Sequence, residues 1–175
     1  MQTYIINLYG GPGCGKSTVA AGLFYELKCK GIKCELTGEY AKDRTWDENP
    51  EVLKNQPFIF GQQLHRIWRL NGKVQFIICD SPILLSIIYS NENSELFEKF
   101  IVEQYNKYIN INFILDRVVK YDPIGRNQTE DEALKLDNDL INVMNKYNIE
   151  YIPINGDSKH KTHTIINYLE KEYTL

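Results

Sequence analysis

The stretch Leu8-Tyr9-Gly10-Gly11-Pro12-Gly13-Cys14-Gly15-Lys16-Ser17-Thr18, LYGGPGCGKST in one-letter form, decides how this chain folds. Gly10, four residues, then Gly15-Lys16-Ser17 has the spacing G-x-x-x-x-G-K-S of a phosphate-cradling loop, a reading that requires a strand before it and a helix after it. Tyr4 to Tyr9 is a β-branched and aromatic run of strand length. Ser17 to Lys30 places Val19, Leu23 and Leu27 at helical spacing and then meets Gly31, a helix stop. Between strand and helix, the amides of Gly13, Cys14, Gly15 and Lys16 are expected to converge on one anion, helped by the positive end of the helix dipole. Gly11 and Thr18 complete the expected nucleotide-binding set. Lys16 supplies positive charge toward β- and γ-phosphates, and the Ser17 hydroxyl is placed to ligate Mg²⁺. The ligand chemistry is that of a nucleoside triphosphate. The alternative, a glycine-rich turn before an ordinary helix with a solvated lysine, does not explain why strand, full motif and helix agree.

Working outward, the 175 residues suffice for one domain, residues 1–175, and are too few for two of ordinary size. A net charge of −3 argues against indiscriminate binding to nucleic acid through a basic surface. No apolar run is long enough to span a bilayer, and the first strand runs straight into the loop, so neither a membrane span nor a removable signal is expected. Cys14, Cys29, Cys34 and Cys79 form no C-x-x-C pair and read as reduced thiols of a cytoplasmic protein. His160 and His163 have no further Cys or His nearby to complete a metal shell and read as surface residues.

Four more strands follow, at 33–37, 74–79, 111–115 and 151–154, separated by helical stretches at roughly 57–71, 94–109, 130–147 and 161–172. Strands too far apart for hairpins imply right-handed crossovers and a parallel sheet with helices on both faces, three layers in all. Ligands then gather at the strand C-termini. Each strand ends there in a polar or glycine cluster.

Asp80, after the apolar run Phe76 to Cys79, has the position of the acidic residue that holds Mg²⁺ in phosphate-loop proteins. It also suits a helix cap before Ser81-Pro82, and the two roles are compatible. Glu39 closes the second strand. With a strand order of 2-3-1-4-5 it lies beyond Asp80, facing an acceptor, where it could take or orient a hydroxyl proton; otherwise it is a helix-initiating charge. In FIFGQQLHRIWRL, Phe58 to Leu70, Phe60, Leu64, Ile67 and Trp68 form the core face. Gln62, Arg66 and Arg69 recur opposite it, either solvated or gripping a base, ribose or phosphate. Tyr40 and Trp46, in the loop after strand two, are candidate stacking surfaces.

The segment 116–130 has no clear periodicity and is long enough to be a functional lid. Arg117, Lys120 and Arg126 would bring positive charge over a transferring phosphoryl group and help exclude water. Thr129 with Glu132 suggests a capping box that ends the lid. Asn155-Gly156-Asp157, closing strand five, is where an adenine ring would lie.

With these residues in place, the chain resembles the small phosphate-loop kinases of the nucleoside and nucleotide kinase superfamily. It looks most like nicotinamide-riboside-kinase-type domains and the short ATPases, often labelled AAA, of tailed phages. The likeness is carried by Gly10–Thr18, GEYAKD at 38–43, ICDSP at 78–82, GRNQTE at 125–130 and INGD at 154–157. It implies a five-stranded parallel sheet of order 2-3-1-4-5, ATP with Mg²⁺, an arginine-bearing lid after strand four, and Glu39 or Asp80 as the acid near the acceptor. DSP stands where such kinases carry D-R-S or D-R-W, and the lid lacks a tight R-x-R, which leaves the acceptor open. A hexameric motor is disfavoured, because the chain has no room for the small helical domain such motors append. Three functions follow: a kinase of a nucleoside-like or nucleotide-like small molecule, a kinase of a modified base in DNA, or an ATPase switch acting through a protein partner.

Overall fold

The computed structural model describes residues 1–11, 13–48, 50–90, 94–117 and 130–173. β1 (Tyr4–Tyr9), β2 (Cys34–Thr37), β3 (Phe76–Cys79), β4 (Ile109–Leu115) and β5 (Ile152–Ile154) form one sheet of order β2-β3-β1-β4-β5, as expected. Every pairing is parallel, and Ile6 in β1 lies opposite Ile78 of β3 and Ile111 of β4. This register brings the residues that follow β1, β3 and β4 (Gly10, Asp80 and Asp116) to one edge of the sheet.

Strand side chains alternate between faces. Ile6 and Leu8 enter the core beneath α1 (Lys16–Cys29) and α7 (Ser158–Tyr173), with Val19, Leu23, Leu27, Ile165 and Leu169. Ile5 and Tyr9 enter the opposite core, built by α3 (Gln56–Trp68), α4 (Leu85–Tyr89), α5 (Glu95–Tyr105) and α6 (Glu130–Lys146) through Phe60, Leu85, Ile101 and Met144. Asn7 points into that second core, where burying an amide is costly unless it is bonded. Its Nδ2 donates to Asn110 Oδ1 at 2.9 Å and Asn112 Oδ1 at 3.1 Å, while Asn112 bonds the Tyr105 hydroxyl and donates to the Glu150 carbonyl. These bonds tie β1, β4 and α5 together.

α1 ends where the sequence predicts. Gly31 takes φ +75°, and the Ile32 amide reaches back to the Leu27 carbonyl at 3.0 Å, closing the helix end. Other boundaries shift: β3 starts at Phe76 rather than 74, β5 at Ile152, and α5 stops at Tyr105 rather than 109. The expected loop after β2 is instead helical, as α2 (Tyr40–Trp46) and a 3-10 turn (Pro50–Lys54). α4 starts at Leu85, later than the Ser81-Pro82 start that a capping Asp80 would give. Its segment, SPILLSIIY, is apolar without a period, because Leu84 and Leu85 are both buried. Among the described residues no helix is long and apolar enough to cross a membrane.

Candidate active site

The loop after β1 is shaped by its glycines. Gly10 sits at φ +134°, and a Cβ there would fall 2.5 Å from Cys14 Sγ and 2.9 Å from the Leu115 carbonyl oxygen, so only glycine lets the chain turn this close to β4. Gly15 opens α1 in the left-handed conformation and supplies no side-chain cap. The first-turn amides of α1 therefore lack both intrahelical and side-chain partners, which is the condition for holding an anion. The Cys14 amide donates to the Gly11 carbonyl at 3.4 Å. Lys16 Nζ donates to the carbonyls of Gly10 at 2.6 Å and Gly11 at 3.1 Å, which holds the ammonium across the loop.

Carboxylates gather round that ammonium. Burial works against the charged Lys16, but Cys14, Tyr89, Glu39 and Asp80 outweigh it, and its pKa stands above the ordinary lysine value. Burial raises the Asp80 pKa, with the Ser17 hydroxyl and Lys16 pulling the other way. Burial also raises the Glu39 pKa; Lys16 opposes this and Asp80 adds to it. Asp80 does not cap a helix, since α4 begins only at Leu85. Its Oδ1 is buried without a hydrogen-bond partner among the described residues, with the Ser17 hydroxyl in reach of the carboxylate. One carboxylate and one hydroxyl, with no larger His/Cys/Asp/Glu cluster among the described residues, suit Mg²⁺, which takes few protein ligands and completes its shell with phosphate oxygens and water. Glu39 occupies the N-cap position of α2 but makes no capping bond, and it interacts electrostatically with Lys16 and Asp80.

The other expected residues divide. Arg66 is committed to the protein: it donates to the Gly38 carbonyl at 2.7 Å and pairs with Asp43 at 2.9 Å, so it holds the turn that carries Glu39. Gln62 is half-buried. The glutamine that reaches this turn is its neighbour Gln63, which accepts from the Tyr40 amide and donates toward Cys79 Sγ. The Tyr40 ring meets Phe58 edge-on at 5.7 Å and lies beneath the guanidinium groups of Arg44 and Arg66, while Trp46 is exposed. Arg117 pairs with Asp137 of α6 at 2.8 Å, and the same Asp137 carboxylate accepts the Gly11 amide. Lys120, Gly125, Arg126 and Thr129 lie outside the described residues. At the far end of the sheet, Asn155, Gly156 and Asp157 lead into α7, which Asp157 caps by accepting the His160 amide at 2.7 Å. This turn abuts the loop, since a Cβ on Gly15 would lie 3.0 Å from Ser158 Oγ. His160 and His163 are exposed, as expected.

Sequence reasoning missed Tyr89, Asp137 and Lys161. Two left a trace. Asp137 stands on the stripe of Leu140 and Met144, and Lys161 on that of Ile165 and Leu169, so each puts a charge where the helix period calls for an apolar residue.

A parallel sheet of this order, with a glycine loop after β1 and an aspartate after β3, defines the phosphate-loop kinase fold. A family model described as an AAA domain matches residues 5–161, and the chain belongs to that family. Thymidylate kinase from Ehrlichia chaffeensis superposes with a TM-score of 0.65 at 16% identity, covering 97% of this chain and 100% of that one. Deoxyadenosine kinase from M. mycoides with bound dATP superposes with a TM-score of 0.59 at 17% identity, covering 95% and 99%. In sequence, thymidylate kinase from Dehalococcoides mccartyi is 40% identical over 53 residues, which span 30% of this chain and only 26% of that protein.

Proposed function

We propose that the chain is an ATP-dependent kinase that transfers the γ-phosphoryl group to a nucleoside-like or nucleotide-like small molecule, with residues 1–175 acting as one domain. The observation that carries this reading is the convergence of Lys16, Asp80 and Glu39 at one edge of the sheet, beside a loop whose first-turn amides are left for an anion. Gly11, Gly13, Gly15, Lys16, Ser17 and Thr18 hold the triphosphate. Asn155, Gly156 and Asp157 line the adenine side. Ser17 and Asp80 would hold Mg²⁺, which supplies charge neutralisation at the β- and γ-phosphates.

Glu39 accepts the proton of the acceptor hydroxyl as its oxygen bonds to the γ-phosphorus. The bond from that phosphorus to the β,γ-bridging oxygen breaks, and its electron pair leaves with ADP. A carboxylate whose pKa is raised by burial is a better base at neutral pH than a solvated one. Arg117, and the lid's Arg126, stabilise the charge on the transferring group, with Tyr40, Gln62 and Arg66 on the acceptor side. Opposite-charge crowding at the loop favours chemistry on phosphate over a purely structural role for these groups.

The test is ATP consumption across a panel of nucleosides, nucleotides, nicotinamide riboside and hydroxymethylated DNA. Acceptor-dependent turnover by a small molecule, lost in Lys16→Ala, supports the reading. Turnover with DNA alone makes the chain a DNA-base kinase, and hydrolysis indifferent to every acceptor makes it an ATPase switch.

A further inference from the structure

α7 carries a lysine on its buried face. Lys161 is 2% exposed, in line with Ile165 and Leu169, and burying an ammonium is costly unless each of its donors is bonded. It donates to the Asp116 carbonyl at 2.6 Å and the Cys14 carbonyl at 3.3 Å, and lies 2.9 Å from Asp116 Oδ1 as an ion pair. α1 and α7 pack closely beside it at Gly22, where a Cβ would lie 2.8 Å from Thr162 Oγ1.

The two carbonyls are peptide oxygens, one in the loop after β1 and one at the end of β4. A trans peptide points its C=O and its N–H in opposite directions. Holding the Cys14 carbonyl toward α7 therefore turns the Gly15 N–H to the opposite face of the loop. Holding the Asp116 carbonyl likewise sets the peptide that leads into Arg117. Asp137 also links the loop to this strand end, through the Gly11 amide and the Arg117 guanidinium; Lys161 does so through one carbonyl of each.

We propose that Lys161 is a positioning residue for the triphosphate: one buried ammonium fixes the peptide that presents the Gly15 amide to phosphate and anchors the strand end that carries Arg117. The inference rests on the nucleotide-binding reading above. It assigns Lys161 to the phosphates rather than to the adenine, although residues 155–157 lie just before it in the chain.

The experiment titrates wild type, Lys161→Met and Asp116→Asn by calorimetry with Mg-ATP and with Mg-tripolyphosphate, with a thermal melt for each. Methionine keeps the length and removes the donors. Removing one partner of a buried pair can destabilise the fold, but the Asp116 side chain left behind is 35% exposed and can be rehydrated. Lys161→Met is expected to melt cooperatively and to weaken both ligands by the same factor, at least about tenfold, the size of a lost charge-assisted hydrogen bond. Asp116→Asn keeps both carbonyl bonds and leaves an amide oxygen beside the ammonium, so it is expected to bind both ligands within about threefold of wild type. A folded Lys161→Met with unchanged affinities overturns the proposal. So does a loss confined to ATP, which would place Lys161 on the adenine side, or an equal loss in Asp116→Asn, which would make the ion pair a mere staple. If Lys161→Met does not fold, Lys161→Gln is measured and judged by the same criteria. Wild type that binds neither ligand refutes the nucleotide reading itself, a result distinct from all of these.

Discussion

Replacing Gly10 by alanine tests the shape of the loop before any chemistry. The position has φ +134°, and the new methyl group would meet Cys14 Sγ at 2.5 Å and the Leu115 carbonyl oxygen at 2.9 Å. The sulfur ends a short side chain and can give a little. The Leu115 oxygen belongs to β4, paired with β1, and cannot retreat without loosening the centre of the sheet. A non-glycine residue at such an angle costs about 1–3 kcal/mol, and forced overpacking about 1–3 kcal/mol. The mid-range total is about 4 kcal/mol, or a fall of about 8–16 °C at about 2–4 °C per kcal/mol for a chain of this size. Far-ultraviolet circular dichroism melts of wild type, Gly10→Ala, Cys14→Ala and the double variant separate the two contacts, because Cys14→Ala removes only the sulfur. Gly10→Ala should still be clearly destabilising in the Cys14→Ala background. A Gly10→Ala melt within about 2 °C of wild type, or full recovery in the double variant, would refute the reasoning.

Three further outcomes follow. Glu39→Gln should lower kcat by about 10²–10⁴ while leaving ATP affinity nearly intact, and wild-type kcat/KM should fall with acid already above the ordinary carboxylate range, since the Glu39 pKa is raised; an unchanged kcat removes Glu39 as the base. Asp80→Asn should weaken Mg²⁺-dependent ATP binding yet raise the melting temperature at pH 8. A carboxylate whose folded pKa lies above its unfolded one loses stability as pH rises through that window, so the gain should vanish once both forms are protonated, near about pH 3; a destabilised variant at pH 8 contradicts this. Arg66→Ala, which frees the Gly38 carbonyl and Asp43, should cost about 1–3 kcal/mol in denaturant unfolding and also lower kcat, because it loosens the turn before Glu39.

How far the sequence could be read depended on how many residues carried each signal. The loop was legible because strand, motif and helix constrain one another, and Asp80 because four apolar residues lead into it. α2 was missed because YAKDRTW is short and buries none of its residues, so it has no apolar stripe to read. The extent of α4 was not legible for the opposite reason, with apolar residues on every side. Gln63 was not legible because neighbouring residues on a helix point about 100° apart, and only the packing of α3 turns Gln63 to the Tyr40 amide. Lys161 was passed over because lysine is assumed to be solvated; its value lies in contacts with Cys14 and Asp116, far away in sequence. Arg66 reads in the sequence as either solvated or ligand-gripping, and its bond to the Gly38 carbonyl was not legible because that partner is a backbone group with no sequence signature.

Phosphorus NMR of Mg-ATP titrated with the protein shows whether the loop after β1 grips the triphosphate, because it reports on each phosphate separately. The account predicts that the β- and γ-phosphate resonances shift or broaden saturably with wild type and stay at their free positions with Lys16→Ala. Resonances that remain free with wild type, for both ATP and GTP, would contradict it.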